Sequence, residues 1–303
     1  MRILFIGDVF GRPGRELLRA GLPTLVDRFA IDVVVANVEN AAGGFGITRE
    51  VGDAIVGYGV DVMTSGNHVW DKKEAVAYVG AEARLLRPAN YPTGVPGRGS
   101  LVTRAANGQP VGVINLMGRV FMQAIDDPFA GGLREIEAIG GRARVIVVDF
   151  HAEATSEKLA MGWHLDGKAT AVVGTHTHVQ TADERILPGG TAYITDVGMT
   201  GPHDSIIGSD REAVLRRFLT GLPARFEPAT ANPRLHAVLI TAEDETGRAT
   251  AIERLGLTAE QLEAFRTEPG HESRVAGHES SHAPGTRDLE PHQEPRTKNQ
   301  ERQ

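Results

Sequence analysis

The chain has 303 residues, with 32 basic and 39 acidic side chains, a formal charge of −7 and no cysteine. That acidic balance excludes a global pull toward nucleic acid or an anionic membrane surface, while leaving room for a local phosphate site. Without cysteine there are no disulfides, iron–sulfur clusters, Cys-ligated zinc or thiol nucleophiles, so a metal must be held by His, Asp, Glu or Asn.

The opening run Ile3-Leu4-Phe5-Ile6-Gly7 reads as a short strand closed by Asp8. It is too short for a signal-peptide core, and no apolar stretch approaches the roughly 20 residues of a membrane span. A soluble, cytoplasmic protein with no membrane partner is the expectation. Helical periodicity follows over 14–28, a β-branched run over 32–38, a helix over 48–57, a strand over 60–64 and a helix over 71–79. The Gly/Pro-rich segment 87–99 reads as a long loop. Further on come strands over 111–116 and 143–149, a helix over 156–165, strands over 170–174 and 192–195, a helix over 211–219 and a strand over 235–241. This alternation is the pattern of an α/β fold without internal repeats. The first three strands, joined by helices, should be parallel neighbours, and Gly189-Gly190 should turn a hairpin. From Leu257 onward apolar residues thin out. A domain is therefore expected over 1–256, and over 257–303 one short helix to about Arg266 followed by a disordered polar tail. The tail histidines His271, His278, His282 and His292 fit no defined metal spacing.

The most informative residues stand at the strand ends. Asp8 ends the first strand, Glu39 and Asn40 the second, Asn67 and His68 the third; later strands run into His151 and into Thr175-His176-Thr177-His178. Ligands of open α/β sheets bind outside the carboxyl ends of the strands, so these side chains should converge on one crevice. Oxygen and nitrogen donors in that number suit a two-metal site with one carboxylate able to bridge. Each has a bland reading when taken alone: Asp8 as a helix cap, Glu39-Asn40 as turn chemistry, Asn67-His68 as another cap, His176 and His178 as a surface pair. Their conjunction favours the metal. His164, His203 and His236 fall in a helix, a loop and a strand interior, and read as structural or surface residues.

Gly7-Asp8, Gly66-Asn67-His68, His151 and Gly174-Thr175-His176-Thr177-His178, taken in order, resemble the signature of calcineurin-like metallophosphoesterases. The segments Val38-Glu39-Asn40-Ala41-Ala42-Gly43-Gly44, Gly66-Asn67-His68-Val69-Trp70-Asp71, Asp149-Phe150-His151-Ala152-Glu153 and Asp196-Val197-Gly198-Met199-Thr200-Gly201-Pro202 are similar to those of the bacterial 2′,3′-cyclic-nucleotide 2′-phosphodiesterase family, from Met1 to about Leu255. Two departures from the wider superfamily are shared with this narrower one: Phe10 stands where a His ligand is usual, and Glu39 where a bridging Asp is usual.

The resemblance implies an α/β sandwich of two facing mixed sheets flanked by helices, and a dinuclear metal centre. Asp8, Asn40 and His178 would hold the first metal, Asn67, His151 and His176 the second, with Glu39 bridging. An amide oxygen in place of an imidazole hardens the first site and favours iron or manganese over zinc. The implied reaction is hydrolysis of a cyclic nucleotide, the 2′,3′ form first and the 3′,5′ form as a further candidate. Hydroxide bridging the cations is the nucleophile and His68 the general acid for the leaving ribose oxygen. The cations would also let an acidic protein bind a phosphodiester without an extended nucleic-acid surface. The runner-up readings are a metallophosphatase acting on phosphomonoesters and a nucleotide- or RNA-binding regulator with little turnover. A dinucleotide-binding turn at Gly7-Asp8-Val9-Phe10-Gly11-Arg12-Pro13-Gly14 lacks the G-x-G-x-x-G spacing. A homo-oligomer is left open.

Overall fold

The computed structural model describes residues 1–267, so the expected polar tail and its histidines lie outside the described residues. In chain order the elements are β1 (Arg2–Ile6), β2 (Asp8–Val9), α1 (Gly11–Phe29), β3 (Val33–Asn37), α2 (Arg49–Gly57), β4 (Val62–Thr64), α3 (Ala75–Ala81), β5 (Ser100–Arg104), β6 (Pro110–Met117), α4 (Pro128–Ile139), β7 (Val145–His151), α5 (Thr155–His164), β8 (Ala171–Thr175), β9 (Arg185–Ile186), β10 (Ala192–Ile194), β11 (Met199–Pro202), α6 (Arg211–Thr220), β12 (Pro233–Ala242), β13 (Ala249–Thr258) and α7 (Ala259–Thr267).

Two sheets face each other, as the resemblance implied. The first runs β2-β11-β12-β1-β3-β4 with β13 paired to β12; the second runs β5-β6-β7-β8-β10-β9. β1, β3 and β4 are parallel neighbours, and β9 and β10 pair antiparallel across Gly189-Gly190. Strand periodicity explains the layering, because alternate residues leave opposite faces. Ile3, Phe5, Val33 and Val35 of the first sheet meet Val113, Val147 and Val173 of the second in an inner core. Leu4, Ile6, Val34 and Ala36 point the other way and pack with Leu18, Leu22 and Ile55 of α1 and α2. Ile114, Val148, Phe150 and Val172 form the matching outer layer with Ile139 and Met161 of α4 and α5. With both faces covered, the central strands read as continuous apolar runs.

Several elements lack that signature. β13 carries adjacent exposed residues, Glu253 and Arg254, one on each face, and its burial is mixed. α4 opens on Pro128 after an Asp127 cap and holds Gly131-Gly132 inside, so its sequence resembles a turn more than a helix. Residue 256 lies within β13, and beyond it α7 lays Leu262 on α1 at Gly21, where a methyl would come within 2.9 Å of the leucine. Among the described residues no helix is long and apolar enough to cross a membrane.

Candidate metal centre

The carboxyl ends of the parallel strands open into one crevice between the sheets. Asp8 begins β2, directly beyond β1; Glu39 and Asn40 follow β3; Asn67 and His68 follow β4; His151 ends β7; His176 and His178 follow β8. All the residues expected at the metal site meet there. His151 Nε2 lies 3.0 Å from Asn67 Oδ1, 3.1 Å from Glu39 Oε1 and 3.0 Å from His176 Nδ1. Asn40 Nδ2 is 3.3 Å from Glu39 Oε1 and 3.2 Å from His178 Nε2. Asp8 Oδ1 stands 3.8 Å from His178 Nε2, and Asp8 Oδ2 accepts the His176 N–H at 3.2 Å. His68 sits at the rim: its N–H donates to Glu39 Oε2 at 2.9 Å and its Nδ1 lies 2.7 Å from Asp71 Oδ2.

This donor set fits a cation. Glu39, His151 and His176 each offer one ligand atom within 4.8 Å of the others. One ring nitrogen, His151 Nε2, faces two oxygens and a second ring nitrogen, more partners than its single valence can satisfy by hydrogen bonding. Asp8 Oδ1 is buried and has no hydrogen-bond partner at all. Carboxylate, amide and imidazole donors suit hard to intermediate divalent ions.

The charges are correspondingly displaced. Burial alone would raise the Glu39 carboxyl, but the charge and hydrogen bond of His151, with His68 behind them, pull it down to about 2. Burial alone would lower His151, but Glu39, with Asp8 and Asp149, lifts it to about 9. Burial and then the charge on His151 push His176 down to about 3. Burial raises Asp8 despite His178 and His151.

Behind the donors stands a layer that no sequence pattern assigned a role. Buried Asp149 accepts hydrogen bonds from Asn37, Thr64 and, at 2.7 Å, the Thr175 hydroxyl. Having spent its proton there, Thr175 accepts from His151 Nδ1 at 2.9 Å, which favours the neutral tautomer with a bare Nε2 facing the centre. Glu153 plays the same part for His176, with Oε2 3.1 Å from Nε2. His178 is fixed through Nδ1, 2.9 Å from the Ile207 carbonyl. His176 and His178 both hold positive φ, 103° and 66°, which bulky residues avoid. A buried ion pair braces the turn they share: Lys158 Nζ reaches Asp196 Oδ2 at 2.6 Å and the Thr175 carbonyl at 2.7 Å, while Thr177 donates to the same carboxylate through its N–H and hydroxyl. Asp149, Glu153 and Asp196 lie inside recognisable motifs, which was the available signal. Lys158 had none, since a lysine in an amphipathic helix reads as solvated.

The three histidines set aside stay out of the cluster. His164 ends α5, and His203 and His236 stack edge to face with centroids 4.5 Å apart.

A family model described as YmdB-like protein matches residues 4–255. The 2′,3′-cyclic-nucleotide 2′-phosphodiesterase of Bacillus subtilis (strain 168) is 51% identical over 255 residues, 84% of this chain and 96% of that protein. A crystal structure of a hypothetical protein from Thermus thermophilus superposes with a TM-score of 0.80 at 45% identity, covering 85% of this chain and 99% of the other. The crystal structure of a novel phosphatase from Mycoplasma pneumoniae gives a TM-score of 0.79 at 34% identity, over 87% and 96% of the two chains.

Proposed function

The chain, a phosphodiesterase, belongs to the YmdB-like protein family, and we propose that it hydrolyses 2′,3′-cyclic nucleotides, breaking the 2′ ester and leaving the 3′ phosphate. The single observation that carries this reading is the convergence of Asp8, Glu39, Asn40, Asn67, His151, His176 and His178 on one crevice, with His68 at its rim. Asp8, Asn40 and His178 would hold one metal ion and Asn67, His151 and His176 a second, with Glu39 between them; iron or manganese suits the amide and carboxylate oxygens. When bound, such ions supply activated water and neutralise phosphoryl charge.

The chain's own residues do the rest. Bound at the crevice, two divalent ions would offset the charge of Asp8 and Glu39 and let an acidic protein hold an anionic diester. Asp71, hydrogen-bonded at His68 Nδ1, orients the ring and leaves Nε2 as the atom that delivers a proton to the departing 2′ oxygen. Phe45 meets the same ring edge to face at 5.1 Å and limits its rotation.

His68→Ala tests the assignment. The variant should keep its metal content while losing roughly two to four orders of magnitude in rate on 2′,3′-cyclic AMP, whose leaving group is an alkoxide. On bis(p-nitrophenyl) phosphate the loss should shrink, because p-nitrophenolate departs without protonation. Asn67→Ala should lower metal content and both activities together. Equal damage from His68→Ala on both substrates would reassign His68 to phosphate binding. Release of inorganic phosphate from monoesters, with cyclic diesters untouched, would move the function to a phosphatase, the activity by which the Mycoplasma pneumoniae relative is described.

A further inference from the structure

The turn after β6 carries the molecule's most exposed large apolar side chain among the described residues. Phe121 is 90% exposed and sits at φ 61°, a left-handed conformation that a phenylalanine rarely adopts. The turn is closed by the Met122 N–H bonding the Arg119 carbonyl at 3.3 Å, which puts Phe121 where turns normally place glycine or asparagine. Presenting an apolar ring to water from a disfavoured backbone is doubly unfavourable, so something must hold it. Glu157, a buried carboxylate in the first turn of α5, does so by accepting the N–H groups of Arg119 at 2.9 Å and Val120 at 3.2 Å. Gly118 leaves the turn no slack, since a methyl there would lie 2.5 Å from Glu157 Oε2 and 2.6 Å from Ala152 Cβ.

The location gives this device its meaning. β6 lies parallel to β7, with Met117 opposite His151, and the Gly118 N–H donates to the His151 carbonyl at 2.9 Å. Three residues further on, the Phe121 Cα is at most about 11 Å from that of Gly118. The turn therefore flanks the β7 and β8 ends that carry His151 and His176. A nucleotide whose phosphorus sits at those residues must direct its base outward over the rim, where a flat apolar ring is the complementary partner.

We propose that Phe121 is the platform on which the substrate's nucleobase stacks, a specificity residue that separates nucleotide diesters from simple phosphate esters. This rests on the cyclic-nucleotide reading above. Because every base offers a π face, the platform recognises nucleotides as a class and discriminates weakly among bases.

The test compares Phe121→Ala and Phe121→Trp with the parent protein, all metal-loaded. Phe121→Ala should raise KM for 2′,3′-cyclic AMP about tenfold with kcat unchanged, while turnover of glycerol 1,2-cyclic phosphate, a cyclic diester with no base, stays at the parent value, and Phe121→Trp should restore the parent KM. Calorimetry should show the same tenfold weakening for adenosine 3′-monophosphate and none for inorganic phosphate. Unchanged KM and affinity in Phe121→Ala, or equal loss on glycerol 1,2-cyclic phosphate, would overturn the platform. So would a parent protein that binds the nucleotide no better than phosphate. If the parent binds the nucleotide in a Phe121-dependent way yet hydrolyses no cyclic nucleotide, the platform stands and the proposed reaction falls.

Discussion

Among the described residues, two places bring a pair of histidine rings edge to face: His151 with His176 at 4.8 Å and His203 with His236 at 4.5 Å. The pairs diverge in their company. Around the first stand Glu39, Asp8 and Glu153, and each ring has one nitrogen tied to a carboxylate or hydroxyl and the other turned to the crevice. Around the second, His203 Nε2 and His236 Nδ1 are buried without a hydrogen-bond partner, and after burial the charges that act most on His236 are those of His203 and Arg234. Burial then dominates and pushes His236 down to about 4, with His203 lowered as well. Proximity of imidazoles does not make a metal site; anionic oxygens facing them do.

The sharpest way to break this contrast is to remove one ring from each pair. His151→Asn should abolish metal retention and cut turnover roughly a thousandfold or more, since the centre loses a ligand. His236→Asn should leave metal content and turnover within about twofold, the usual range for a change remote from the chemistry. Metal analysis and diesterase assays on both variants would show whether the second pair is truly uninvolved.

A smaller, purely steric comparison uses two glycines. A methyl at Gly66 would run into the His151 ring, whereas one at Gly256 would meet His236 Cδ2 at 3.6 Å, an ordinary contact. Gly66→Ala should therefore tilt the His151 ring and weaken metal binding about 10- to 100-fold, and Gly256→Ala should do nothing measurable to it. A titration with manganese followed by calorimetry reads both.

The smallest effect is on stability, and His236 and His151 should titrate with opposite signs. His236 has a folded pKa below its unfolded value of 6.5, so the unfolded chain takes up a proton first as pH falls. Stability should drop between pH 6.5 and about 4, by at most about 3 kcal/mol, and His236→Gln should flatten that slope. His151 in chelator-treated protein has a folded pKa raised to about 9. Its contribution is complete below pH 6.5 and disappears as pH rises through 9. Urea unfolding across pH 4–9, with and without chelator, would resolve the two windows, and a common sign for both would refute the distinction.

Much of this was legible beforehand, for physical reasons that also mark the limit. Val33–Asn37 and Val145–His151 announce themselves because strands covered on both faces need apolar residues at every position. Asp8, Glu39, Asn67, His151, His176 and His178 stand out because polar side chains directly after such runs have nowhere to go but the crevice. β13 stayed hidden because Glu253 and Arg254, adjacent and both exposed, break the alternation that marks a strand. The bracing layer stayed hidden because its partners are remote in sequence: Lys158 finds Asp196 across 38 residues, and Asn37 finds Asp149 across 112. No local pattern distinguishes a lysine that will be buried against such a partner from one that will be solvated.

The place of β12 governs when the molecule can work as well as how. This strand, Pro233–Ala242, pairs antiparallel with both β11 and β1, and thereby ties the strand leading to Asp8 to a segment remote in sequence. A growing polypeptide has made every proposed metal ligand once His178 is complete, yet β1 still lacks its antiparallel neighbour until residue 242 leaves the ribosome. The crevice is thus closed by a segment synthesised after all its proposed ligands, through contacts of long sequence separation that form slowly. A nascent chain stalled before β12 would carry all the proposed ligands without the sheet that aligns them, and the proposed metal capture would have to wait for that strand.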